Sequence, residues 1–278
     1  MTNSGNSYCQ LSVRGETIRV LQLTDTHLKA HSGGTLLGLD TDYSLRAVID
    51  IAQSQFPEPD LLLGTGDLAD SGSGDAYQRL ISYFDQLTPH HYWLPGNHDL
   101  RDVMIDVAGN ERLPRELRAG NWQIIMLDSQ IPGEVGGHLG SVELEELDKC
   151  LAAGQEAGLH TLVCMHHQPV PVGCDWLDEQ MVSDARDFFA VVERYPQVRG
   201  VLWGHVHQQL DRPHGDMQLM CTPSTCVQFL PEQVDFAVDT VAPGYRWMEL
   251  HPDGRIGTAV VRADSEEFTV DREAGGYL

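Results

Sequence analysis

Six short apolar runs recur along the chain: "IRVLQL" (18–23), "DLLL" (60–63), "YWL" (92–94), "WQIIML" (122–127), "TLVCM" (161–165) and "GVLW" (200–203). Each has strand length and is continuous rather than alternating, the pattern of strands buried on both faces. Between them the period changes. Leu45, Val48, Ile49 and Ala52 fall at i, i+3, i+4, i+7. Tyr77, Leu80, Ile81, Phe84 and Leu87 repeat that spacing, as do Leu144, Leu147 and Leu151 after Gly140-Ser141, and the stretch 181–195 around Phe188, Val191 and Val192. These predict amphipathic helices. Strands alternating with helices predict α/β layers. In the last third, "MQLM" (217–220), "YRWMEL" (245–250) and "IGTAVV" (256–261) are separated by turns such as "HPDG" (251–254), so mixed or antiparallel strands are expected there. No repeat or clear linker divides the pattern. It predicts one domain over 1–278, with a core at about 17–262 and a tail, 263–278, whose closing "EAGGYL" is expected to be disordered.

Composition narrows the function. The 278 residues are 41% hydrophobic, enough for a sizeable core. The 41 acidic against 18 basic residues give a formal net charge of -23. Such a surface repels nucleic acid and anionic membranes within a Debye length, leaving a small molecule as the expected partner. A small anion remains compatible if bound metal supplies local positive charge. No apolar run approaches the roughly 18 residues of a membrane helix. The opening "MTNSGNSYCQ" lacks the basic start and apolar stretch of a secretory leader. The six cysteines are scattered without CxxC spacing, which reads as reduced thiols in a cytoplasmic protein. Nothing in the sequence speaks to oligomeric state.

The chemistry follows the strands. After "VLQL" comes Thr24-Asp25-Thr26-His27; after "LLLGTG", Asp67; after "YWLPG", Asn97, His98 and Asp99; after "TLVCM", His166 and His167; after "VLWG", His205 and His207. Taken singly, each has a bland reading: a helix cap, a satisfied buried pair, an exposed loop. Five strand ends carrying such groups in series are hard to obtain from packing, and strand ends form the ligand edge of open α/β sheets. Gly66, Gly96 and Gly204 precede these groups and are expected to permit sharp backbone turns. Seven O and N donors suit two divalent cations sharing one carboxylate.

The ordered set "DTH", "GD", "GNHD", "HH" and "GHVH" resembles the calcineurin-like metallophosphoesterase superfamily over about residues 17–250. "LQLTDTHL", "TGDLAD", "WLPGNHD", "LDSQ", "TPSTCVQF" and "TVAPGYR" are similar to the bacterial class III 3',5'-cyclic-AMP phosphodiesterases of the CpdA type. The resemblance implies a four-layer αββα sandwich with mixed sheets. It implies one metal on Asp25, His27, Asp67 and His207, and another on Asp67, Asn97, His166 and His205. His166 is preferred to His167 because it comes directly off the strand. Fe(II) is the favoured metal, with Mn(II) or Zn(II) as substitutes. Where purple acid phosphatases carry a tyrosine ligand, three residues beyond the shared aspartate, this chain has Asp70, which argues against a ferric-tyrosinate centre. The implied reaction is hydrolysis of cyclic AMP to 5'-AMP by a hydroxide bridging the two metals. His27, Asp67, Asn97, His98 and His207 would contact the substrate. His98 is the expected proton donor to the leaving 3' oxygen, and Asp99 either orients His98 or caps the loop. Two other readings stay open: another small-phosphodiester hydrolase acting on 2',3'-cyclic nucleotides or glycerophosphodiesters, and a non-catalytic interaction module. The module should have lost ligands, and none is missing. Trp176 reads as core packing or as a base-stacking ring. His31, His90, His91, His138, His160, His214 and His251 read as surface or structural. "STCVQF" has no evident chemical role.

Overall fold

The apolar runs conceal an alternation that decides the layering. In Ile18–Leu23, Ile18 and Val20 join one core cluster and Leu21 and Leu23 another. Leu61 and Leu63 likewise part from Leu62, Leu162 and Cys164 from Val163, and Leu202 from Val201 and Trp203. Every run is thus apolar on both faces of its sheet. The structure, a computed structural model describing residues 8–276, resolves this into two sheets face to face with helices outside each.

The five-stranded sheet runs Ile256–Arg262, Gly244–Leu250, Ile18–Leu23, Leu61–Thr65, His91–Leu94. The seven-stranded sheet runs Cys9–Leu11, Glu116–Ala119, Trp122–Met126, His160–Cys164, Val198–Trp203, Met217–Cys221, Leu210–His214. Trp122, Ile124, Leu162, Leu202 and Met220 of one sheet meet Val20, Leu61, Leu63 and Met248 of the other in the central core. Helices Thr41–Gln55, Gly74–Phe84 and Arg101–Ala108 close the outer face of the five-stranded sheet. Gly140–Glu156 and Ala185–Val192 close the other. This is the expected four-layer αββα sandwich.

Local rules hold in detail. Thr41–Gln55 starts where the Asp40 carboxylate accepts from the Tyr43 amide at 3.0 Å, and ends before Pro57. The C-terminal strands are antiparallel as predicted, Gly244–Leu250 pairing with both Ile256–Arg262 and Ile18–Leu23. Some boundaries differ. The helix expected over 181–195 spans only Ala185–Val192, with Pro196 shortly beyond its end, and Leu87 lies past the helix that stops at Phe84. Arg101–Ala108 and the strands Cys9–Leu11, Glu116–Ala119 and Leu210–His214 are not among the predicted elements. Leu210–His214 is an edge strand, mostly exposed and carrying Pro213, so it lacks the apolar signature.

A buried polar network ties the sheets together near the ends that carry the chemistry. Gln22 Nε2 donates to Thr65 Oγ1 at 2.8 Å and to the Trp203 carbonyl at 3.2 Å, and Thr222 Oγ1 donates to Gln22 Oε1. Arg246, fully buried, donates to Thr222 Oγ1 (3.0 Å), the Cys221 carbonyl (2.8 Å) and Asp211 (2.7 Å). Arg246→Ala leaves these acceptors short of partners and opens a cavity. It is expected to lower the unfolding free energy by about 3 kcal/mol, read as a fall in urea midpoint. An unchanged midpoint would contradict this role.

Among the described residues no helix is long and apolar enough to cross a membrane. The six cysteines are free thiols, four of them buried. Residues 1–7, where most of the leader reading falls, and residues 277–278 of the tail expected to be disordered, lie outside the described residues.

Candidate dimetal site

Five of the seven expected ligands sit on backbone that most residues avoid. Asp25, His27, Asp67, His205 and His207 have φ between 44° and 63°, the left-handed region. Only Leu37, Glu58 and Glu232 join them among the described non-glycine residues. Each such residue costs on the order of 1–2 kcal/mol, and it persists only where its surroundings over-determine it. Here they do. The 24–28 and 65–70 loops stay paired beyond their strands: the Asp25 amide donates to the Gly66 carbonyl (3.0 Å), and the His27 amide to the Asp67 carbonyl (2.9 Å). Thr24 Oγ1 and Thr26 Oγ1 donate to the Thr65 (3.2 Å) and Leu68 (2.6 Å) carbonyls. Gly66 itself is left-handed, as expected. Gly96 and Gly204 are not. They are needed for close approach, since a Cβ at Gly96 would strike the Asp67 carboxylate, and one at Gly204 the Thr24 hydroxyl and the Asp25 carboxylate.

All seven side chains converge where the C-terminal ends of Ile18–Leu23, Leu61–Thr65 and His91–Leu94 face those of His160–Cys164 and Val198–Trp203. Asp25, His27 and His207 form one cluster: His207 Nε2 lies 3.2 Å from Asp25 Oδ1 and 3.3 Å from His27 Nε2. Asp25, Asp67 and His166 form a second: His166 Nε2 lies 3.4 Å from Asp67 Oδ2 and 3.2 Å from Asn97 Oδ1. Asp67 Oδ2 is also 3.7 Å from His27 Nε2, so its carboxylate stands between the two. His205 groups with His166 and His167, and its amide donates to both oxygens of Asp25 (3.1 and 3.2 Å).

The donor set fits divalent cations. His166 Nδ1 donates to the Thr65 carbonyl (2.9 Å) and His207 Nδ1 to the Val227 carbonyl (2.7 Å). Each fixes the tautomer that leaves the Nε2 lone pair facing the cluster. His205 reverses the arrangement, Nε2 meeting Gln180 Oε1 at 3.1 Å, which assigns Nδ1 as the lone-pair atom. Burial opposes ionisation of Asp25, but His207 outweighs it and holds the carboxyl low; His166 and His98 do the same, more strongly, for Asp67. Burial keeps His27 and His205 neutral, as ligation requires. Burial also works against a proton on His166, yet the Asp67 carboxylate raises its pKa to about 9, so that proton must leave when a cation binds.

His167 is differently placed. Its Nδ1 meets Ser129 Oγ at 2.8 Å and its Nε2 donates to the Val135 carbonyl at 3.0 Å, so both ring nitrogens are engaged by protein. The preference for His166 thus has a geometric basis, with His167 packing its ring against His166 and His205.

His98 adjoins the cluster. Its amide donates to Asp67 Oδ1 (2.9 Å), and its ring lies 4.9 Å from that of His27. The idea that Asp99 orients this ring is replaced. The ring is held by Nδ1 donating to the Asp70 carbonyl (2.9 Å). The Asp99 carboxylate instead accepts from the Leu68, Ala69 and Gly96 amides and the Tyr77 hydroxyl, locking the 66–70 loop to the 96–99 loop. Asp70 does more than replace a tyrosine. Its carboxylate lies 3.7 Å from His27 Nδ1 and 2.6 Å from Lys29 Nζ, and these partners outweigh burial to bring its pKa to about 2.

Two of the subfamily stretches, "STCVQF" and "LDSQ", support the site. Ser224 Oγ donates to the Asp25 carbonyl (2.7 Å), Val227 holds His207, and the Phe229 ring stacks on His207 at 4.1 Å. Trp176 packs edge-on against Phe229 and Phe236, the core-packing alternative. In "LDSQ", Gln130 Nε2 donates to the Gly96 (2.7 Å) and Asp99 (2.6 Å) carbonyls, bracketing Asn97 and His98. Backbone carbonyls have no sequence signal, which is why these supports went unread. Gln130→Leu should loosen that loop and cost about 10-fold in both turnover and metal affinity, with the melting temperature little changed. Calorimetric metal titration checks it; wild-type affinity would exclude the bracket. Of the remaining histidines, His31, His90 and His138 are exposed, His160, His214 and His251 half-buried, and His91 buried beneath Trp93, whose Nε1 donates to it.

Residues 18–209 match the sequence profile described as calcineurin-like phosphoesterase. The chain is 42% identical to a protein of Pseudomonas aeruginosa named 3',5'-cyclic adenosine monophosphate phosphodiesterase CpdA, over 94% of this chain and 96% of that one. It is 40% identical to the Escherichia coli K12 protein of the same name, over 98% and 99%. Among solved structures it resembles a dimetal phosphatase from Danio rerio (TM-score 0.59, 15% identity, 88% of this chain and 99% of that one). It also resembles a purple acid phosphatase from yellow lupin (TM-score 0.62, 11% identity, 92% and 53%). At such identities the structural likeness speaks for the fold alone.

Proposed function

The chain belongs to the calcineurin-like phosphoesterase family, and on that premise we propose that it hydrolyses 3',5'-cyclic AMP to 5'-AMP. The observation that carries the substrate is the 40–42% identity, over 94–98% of the chain, to proteins named as cyclic-AMP phosphodiesterases. In this reading residues 17–262 act as one catalytic domain. Asp25, His27, Asp67 and His207 hold one divalent cation, and Asp67, Asn97, His166 and His205 hold a second. The mixed N/O set accepts Fe(II), Mn(II) or Zn(II), and the family resemblance favours Fe(II). Bound there, the cations supply positive charge to the phosphoryl oxygens and make an attacking water acidic enough to act at neutral pH.

The chain's own groups do the rest. Asp25 and Asp67 bring only two negative charges to a site that would hold two divalent cations, so its net charge would stay positive and attract a monoanionic phosphodiester despite the acidic surface. Asn97 contributes a carbonyl oxygen without adding negative charge. His98 works against burial, but the Asp67 carboxylate and the Asp70 carbonyl favour its protonated form. With Nδ1 donating to Asp70, Nε2 carries the proton for the departing 3' oxygen. Free thiols at all six cysteines suit a reducing, cytoplasmic setting.

A panel of phosphodiesters offered to metal-loaded protein tests the assignment. Cyclic AMP should be turned over faster than 2',3'-cyclic AMP or glycerophosphocholine. A clear preference for either of the latter would replace the substrate while leaving the reaction class.

A further inference from the structure

A cleft of about 860 Å³ opens from the metal cluster on the side of Asn97 and His98. It lies within the range of about 300–1,000 Å³ typical of small-molecule sites. Its far walls carry Leu100, Val103 and Pro132 together with Arg101, Asp128 and Gln130. Leu100 is 54% exposed, a large apolar side chain standing open in a wall that also bears charge. Arg101 Nε lies 3.4 Å from Asp128 Oδ2, so a guanidinium and a carboxylate stand side by side. Asp70, Asp99, Asp102 and Asp128 outnumber Arg101 and the protonated His98. That excess disfavours a second phosphate and suits a neutral group. The other cleft near the site's supports, of about 270 Å³, lies by Cys226, Val227 and Gln228 and is lined by none of the seven expected metal ligands.

We propose that the larger cleft is the nucleoside subsite, the purine lying against Leu100, Val103 and Pro132 with the Arg101–Asp128 pair at its edge and the ribose beside His98. The proposal rests on the cyclic-AMP reading. If His98 protonates the 3' oxygen, the ribose bearing that oxygen lies on the His98 side of the phosphate, and this cleft is the space beyond. Purine edges present neighbouring donor and acceptor groups, which a paired carboxylate and guanidinium answer together. Apolar side chains take up the faces of the base.

Two measurements on metal-loaded protein test this. Adenosine, which has no phosphate to cleave, should receive saturation transfer at H2 and H8, and Leu100→Ser should reduce the transfer several-fold. Asp128→Asn, nearly isosteric, should lower kcat/KM for cyclic AMP relative to bis(4-nitrophenyl) phosphate by about 10-fold, mainly through KM. Absence of transfer to adenosine, insensitivity of the transfer to Leu100→Ser, or an equal loss on both phosphodiesters would each overturn the subsite. A wild type that shows the transfer and cleaves the nitrophenyl diester but leaves cyclic AMP intact would instead overturn the substrate assignment, with the subsite standing.

Discussion

Asp67→Ala should remove both metal ions and at least about 10³-fold of turnover, some 4 kcal/mol of transition-state stabilisation. The expectation follows from position. Asp67 Oδ2 is 3.4 Å from His166 Nε2 and 3.7 Å from His27 Nε2, so one carboxylate serves both clusters. Its other oxygen accepts the His98 amide at 2.9 Å, so the same substitution also frees the loop carrying the proposed proton donor. Asp25 also belongs to both side-chain clusters, but only Asp67 is assigned to both cations, so substituting any other proposed ligand should spare one ion in part. Elemental analysis reads the outcome: two ions per chain in active wild type, fewer than one in the variant. An Asp67→Ala protein retaining two ions would break the account, and so would active wild type holding only one.

His98→Ala is the second large effect and separates two neighbours in one loop. Asn97 meets His166 Nε2 at 3.2 Å within the cluster, whereas His98 turns its Nδ1 to the Asp70 carbonyl. Asn97→Ala should weaken one metal site, so added Fe(II) or Mn(II) should partly restore activity. His98→Ala should keep both metals and lower turnover by roughly 10²–10⁴-fold, the scale of a positioned acid. That is about 3–5 kcal/mol, and added metal should not restore it. The defect should shrink on a nitrophenyl phosphodiester, since nitrophenolate leaves without a proton. Equal impairment on both substrates would leave His98 as a phosphate-positioning group only.

Much of this site was legible from residue types. Asp25, His27, Asp67, Asn97, His166, His205 and His207 each follow an apolar run, and a strand buried on both faces leaves its end as the place where polar groups can gather. Because Ile18–Leu23, Leu61–Thr65 and His91–Leu94 are mutually parallel, as are His160–Cys164 and Val198–Trp203, their ends reach a common edge. What holds those side chains and His98 was not legible. The Thr65, Asp70 and Val227 carbonyls act through backbone, which any residue supplies. The left-handed φ of five expected ligands belongs to Asp and His, so no glycine advertised it. Asp99 was open between orienting His98 and capping the loop: adjacency to His98 suggests contact, but the turn at 96–99 sends its carboxylate to the Leu68, Ala69 and Gly96 amides, the capping alternative. Arg101–Ala108 went unread although Met104 and Ala108 are buried, because its first turn abuts a motif that reads as loop.

The central claim is a reaction, and identifying its product tests it most directly. Metal-loaded protein incubated with 3',5'-cyclic AMP, with the mixture resolved by chromatography, should give 5'-AMP as the sole nucleotide product, with turnover abolished by a chelator. Formation of 3'-AMP would reverse the leaving group and remove His98 from its place. Intact cyclic AMP beside rapid cleavage of glycerophosphodiesters would contradict the assignment outright.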